Sequence, residues 1–167
     1  PEGWRFSPSE TAEAAAIQWL YEGNIPAEPL VFEYANPQLW QQIVSQRRAA
    51  QSGGVSEAVA LGDSYARLAQ EATDGGVRDR FYGQALAAYG GALDRAAASG
   101  APAAALAPGY MGQARLYRQR IVGSGGAFSA EHAQLLVDSA LAALGALPAN
   151  DAQRVELQQW LSDGLAI

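Results

Sequence analysis

From residue 55 onward the chain is a succession of Ala-rich runs with helical periodicity, each closed by a turn that carries Gly or Pro. Ala is the strongest helix former because it loses no side-chain freedom, whereas Gly and Pro punctuate. The pattern predicts helices over 56–73, 77–98, 108–122, 130–147 and 151–163, with a short helical turn at 102–106. Asp74, Ser129 and Asn150 stand where helix caps are needed. Upstream, Asn36-Pro37 is a cap followed by a first-turn Pro, opening a helix with the apolar stripe Leu39, Trp40, Ile43 and Val44. Arg47 and Arg48 form its basic end, which suits the helix dipole, and Gly53-Gly54 its stop.

The N-terminal stretch begins with a capping box, Ser7-Pro8-Ser9-Glu10, ahead of a helical run over 11–21 that contains Trp19 and stops at Gly23. Pro26 and Pro29 forbid a helix over 24–36, since each lacks an amide donor and restricts its predecessor. Leu30-Val31-Phe32-Glu33-Tyr34 has strand-like composition but no second strand to pair with, so it reads as an extended segment packed over helices. The class is all-α. The organisation is an N-terminal helical cap with the Pro-rich segment over 1–54, and stacked helices over 55–167, forming one continuous unit.

Composition narrows the chemistry. The 167 residues suffice for one domain with a real core, burying roughly 70% of the unfolded surface. With no Cys, disulfides, thiol catalysis and Cys-ligated metals are excluded, and a single His, His132, excludes a multi-His metal site within one chain. The net charge of −6 argues against a general nucleic-acid binder. No apolar run has the roughly 18 residues that span a bilayer. All 11 basic residues are Arg, which is most simply a coding bias. The start at Pro1 and the missing Cys lean toward a piece cut from a longer, extracytoplasmic protein of the bacterial cell envelope.

Internal self-similarity is the next test. Leu61-Gly62-x-x-Tyr65 is followed by Ala85-x-x-x-Tyr89-x-x-Ala92. A second copy runs Tyr110-x-x-x-Ala114-x-x-Tyr117, then Val137-x-x-x-Leu141-x-x-Leu144. Tyr117 lies 52 positions after Tyr65, as Ala114 does after Gly62 and Val137 after Ala85. This spacing resembles the tetratricopeptide repeat, in which a small residue and a Tyr on one helix face small and aromatic residues on the next. The period departs from the family's, about 34 residues, and Leu141 replaces an aromatic. Leu147-Pro148-Ala149-Asn150-Asp151 resembles the turn that opens a further repeat.

The resemblance implies antiparallel α-hairpins stacked as a short right-handed superhelix, with the N-terminal helices as cap. Gly62, Ala85 and Ala114 let helices approach, while Tyr65, Tyr89 and Tyr117 fill gaps between successive pairs. Gly90-Gly91, inside a helical run, is expected to mark another close contact. The resemblance also implies a concave groove for a peptide or protein. Arg115 and Arg118, three apart, share a helix face looking into it. Asp63, Ala66 and Arg67 hold the corresponding places in the first copy. Two forked guanidiniums suit a carboxylate or an acidic segment; the alternative is a solvated face with Arg115 or Arg118 paired internally to Asp138 or Glu71.

No catalytic constellation emerges. His132 follows Glu131 in a first turn, and the Ser and Asp residues form no triad pattern. Without Lys no phosphate loop is possible. Glu10 and Glu13 suit a helix start. Trp4, Trp19, Trp40 and Trp160 flank the repeat copies, in core or capping positions or as a contact surface. The expected function is therefore a non-enzymatic interaction module or scaffold with no catalytic, cofactor or metal residues, its partner a protein or peptide. The alternatives are a hydrolase using carboxylates among Glu22, Glu28 and Glu33, which needs two converging acids, and a helical subunit that self-assembles through an apolar end face.

Overall fold

The structure, a computed structural model, describes residues 37–52, 54–123 and 130–165. The expected helix over 11–21, the Pro-rich segment, the carboxylates Glu10, Glu13, Glu22, Glu28 and Glu33, Trp4, Trp19, the Trp40 side chain and the Ser129 cap lie outside the described residues. Among those described the protein is all-helical: α1 Pro37–Ser52, α2 Val55–Glu71, α3 Gly75–Ala98, α4 Ala107–Gly123, α5 Ala130–Ala146 and α6 Gln153–Leu165, with a 3-10 turn at Ala103–Ala105.

Local chemistry sets the boundaries. The Asp74 carboxylate accepts from the Val77 amide at 2.8 Å, satisfying one of the donors that opening α3 leaves bare. At its other end, Gly100 adopts φ 63°, a left-handed conformation that costs Gly nothing, and the Ala101 amide donates back to the Ala96 carbonyl at 2.9 Å. Before α6 the capping side chain is Asp151, which accepts from the Gln153 amide at 2.8 Å, not Asn150 as expected. α1 continues to Ser52, so Arg47 and Arg48 stand before its last turn and not within it.

α2 and α3 run in opposite directions, since Tyr65 meets Phe81 while the earlier Gly62 meets the later Tyr89. α2 packs chiefly on α3, and α4 on α5; α1 covers α2, and α6 covers α5. Alternate helices also meet, α2 with α4 and α4 with α6. Two apolar clusters result. The first gathers Ile43, Val44, Leu61, Tyr65, Leu68, Phe81 and Tyr89 from α1 to α3, joined by Leu116 of α4. The second gathers Met111, Ile121, Leu136, Leu157 and Trp160 from α4 to α6. α4 thus serves both, and its junction with α2 and α3 positions everything that follows.

Tyr89 makes that junction. A Cβ added to Gly62 of α2 would lie 2.5 Å from the Tyr89 ring, and one added to Gly112 of α4 would lie 2.4 Å from it. Gly109 is also tight, against Leu93 at 2.8 Å. Only glycine allows α2 and α4 to close on the ring from both sides. The expectation for Gly90-Gly91 is corrected: a Cβ on Gly90 would meet nothing within 4 Å, and one on Gly91 only the Arg95 side chain at 3.8 Å. Tyr65 and Tyr117 pack inside their own pairs, Tyr65 on Phe81 and Tyr117 beside His132, each with centroids 6.4 Å apart.

Gly112→Ala is therefore expected to destabilise the protein by about 1–3 kcal/mol, the cost of overpacking against a ring that cannot retreat. Gly83→Ala, also mid-helix but with nothing within 4 Å of the new Cβ, should stabilise it by about 0.5–1 kcal/mol. Urea unfolding of both variants checks the contrast.

Candidate functional site

The Tyr89 hydroxyl emerges on the side of α2 and α4 away from the core, where it donates to Asp63 Oδ1 at 2.6 Å. Burial first, and then this bond to a carboxylate, hold the phenol protonated well above the usual tyrosine range. Asp63 Oδ1 also faces Arg115 Nη1 of α4 at 3.9 Å, with both side chains about half exposed. The Arg115 guanidinium in turn sits 6.0 Å from the ring centroid of Trp160 on α6, a residue only 4% exposed. One polar line therefore crosses α2, α4 and α6.

A second contact ties α4 to α6. Arg118 Nε donates to Asp163 Oδ2 at 3.1 Å, and Gln159 Nε2 to Asp163 Oδ1 at 2.9 Å. Together these bonds, Gln159 first, hold the Asp163 carboxyl below its usual range. Of the four expected partner-binding residues, the structure brings Asp63, Arg115 and Arg118 to this side of the helices. Arg67 is exposed there on α2, paired with Glu71 at 3.9 Å within its own helix. The cations' partners are Asp63 and Asp163, not the expected Asp138 or Glu71. Such half-exposed pairs contribute little net stability.

Two hollows flank the Asp63–Arg115 pair. Toward the N-terminal ends of α2 and α4, a space of about 500 Å³ is lined by Val55, Ser56, Val59, Ala60, Asp63, Ala105 and Pro108. Toward their C-terminal ends, a space of about 340 Å³ is lined by Ala69, Gln70, Arg78, Tyr82, Arg118, Gln119 and Val122. Ser56, Val59, Asp63 and Gln70 recur at helical spacing, as do Pro108, Arg115, Arg118 and Val122, so both hollows open on one side of the pair. Sequence reasoning missed Arg78 and Tyr82, because they belong to α3 and reach the second hollow from beneath. Arg78 is fixed by donating Nε and Nη2 to the Ala72 carbonyl at 3.3 and 3.1 Å. Tyr82 is held by Arg120, 5.6 Å from its ring centroid and itself bonded to Asp79 at 3.2 Å.

Among the described residues no three His, Asp or Glu side chains converge as a metal site, and no helix is long and apolar enough to cross a membrane. Against known protein families, curated proteins and solved structures, the chain has no significant match.

Tyr89→Phe leaves the wedge but removes the hydroxyl, and is expected to cost about 0.5–1.5 kcal/mol at neutral pH. Because the fold favours the protonated phenol, its stabilisation is complete below the unfolded pKa near 10 and is lost as pH rises beyond it. Tyr65, Tyr82 and Tyr117, shifted upward by burial, act in the same sense. Denaturation followed from neutral pH into this alkaline range should show a shallower decline in Tyr89→Phe than in the parent.

Proposed function

We propose that the protein is a non-enzymatic interaction module, a short right-handed stack of α-hairpins similar in plan to the tetratricopeptide repeat, which holds a peptide or protein partner along the α2–α4 side. In this reading α2, α4 and α6 line the partner's path, α3 and α5 back them, and α1 contributes to the cap. The register supports it: Asp63 and Arg115, 52 positions apart, meet between α2 and α4. Arg118 and Asp163, 45 apart, meet between α4 and α6. Repeating units stacked in one direction produce such offsets.

The observation that carries the proposal is the pair of hollows on one side of two adjacent helices, separated by an ion pair that is half exposed. Apolar walls with a few fixed polar groups are the surface an extended segment or a helix uses for anchoring. The described polar groups of this side are arginines, carboxylates, amides and the hydroxyls of Ser56, Tyr82 and Tyr89.

The test is capture of partners from a lysate by the full chain, compared with Arg115→Glu plus Arg118→Glu and with Asp94→Arg, an exposed position on α3. Circular dichroism confirms that all three are folded. Partners held by the parent and by Asp94→Arg should be lost roughly tenfold or more in the double variant. An identical set captured by all three overturns the assignment.

A further inference from the structure

We infer that the C-terminal hollow between α2 and α4 takes an acidic stretch of the partner, a side-chain carboxylate meeting Arg78 and Arg118 while an aliphatic neighbour covers Val122. The inference rests on the groove reading above and gives it a chemical polarity. The chain carries 17 acidic against 11 basic residues, yet this hollow is lined by two arginines and no carboxylate. The opposite hollow has Asp63 and no cation. A partner segment is thereby oriented, with its acidic part toward the C-terminal end of α4 and its apolar part toward Pro108.

Each wall contributes separately. Arg118 engages Asp163 through Nε alone among the described residues, leaving its outer N–H groups for a second carboxylate. Arg78 is anchored through Nε and Nη2 on the Ala72 carbonyl, so its position is set before any ligand arrives. Gln119 Oε1, on the same wall, is buried and accepts no hydrogen bond from the described residues. Val122 is 70% exposed at the rim, with Ala69 and Tyr82 beneath as apolar floor.

The experiment is retention of the full chain on an array of short peptides blocked at both ends, matched in length and apolar content, and acidic, neutral or basic. The parent should be retained preferentially on acidic peptides. Val122 is exposed enough to change without disturbing the core, so Val122→Lys should raise that retention about two- to fivefold and Val122→Asp lower it by a similar factor. Equal or stronger retention on neutral or basic peptides overturns this inference while leaving the groove reading standing. So does a shift of both variants in the same direction. Retention on none of the peptides overturns the groove reading and this inference with it.

Discussion

The arrangement depends on one ring. Tyr89 projects from α3 between α2 and α4, touching a glycine on each, and its hydroxyl reaches through to Asp63. A helix that presents glycine toward an aromatic gives up helix propensity for proximity, at about 1 kcal/mol per position. Buried ring area of the order that Tyr supplies offsets this. The consequence is geometric. Gly62 of α2 and Gly112 of α4 both abut the ring, and the hollows lie toward opposite ends of the two helices. The two hollows are thus a by-product of how α2, α3 and α4 are joined.

The same ring links core to surface. Below it lie Leu116 and the first apolar cluster, and above it the Asp63 carboxylate, Arg115 and Trp160. Polar groups that are satisfied yet half exposed suit a recognition surface, because a partner can replace one hydrogen bond with another without stranding a charge. Arg78, bound to a helix-terminal carbonyl, and Arg120, bound to Asp79 beside Tyr82, show a second device. Both cations are positioned by the protein itself, which in the proposed reading lowers the ordering cost of binding.

Much of the helix order was legible in the sequence, because Ala-rich periodicity and Gly or Pro turns act locally. α2 to α6 begin and end within a few residues of expectation, and Asp74 caps α3 through the bond its position implies. Gly62 and Tyr89 were legible through their spacing. Gly112 was not, since it sits in Pro108-Gly109-Tyr110-Met111-Gly112, which reads as a helix start. Gly90-Gly91 misled for a reason of phase. Successive residues on a helix turn by about 100°, so the positions after Tyr89 point away from the junction that Tyr89 occupies. The arginines were marked as a shared face, but their partners Asp63 and Asp163 come from other helices. Local pattern cannot give that register, nor bring Arg78 and Tyr82 of α3 into the same hollow.

The most direct test of the account is a double-mutant cycle on the wedge, combining Gly112→Ala with Tyr89→Leu and measuring unfolding free energies of the four proteins. If the ring fixes the approach of α4, the smaller side chain relieves the added methyl, and the two changes couple favourably by about 1–2 kcal/mol. Additivity to within about 0.5 kcal/mol would contradict the account, because α4 would then be placed by something other than Tyr89.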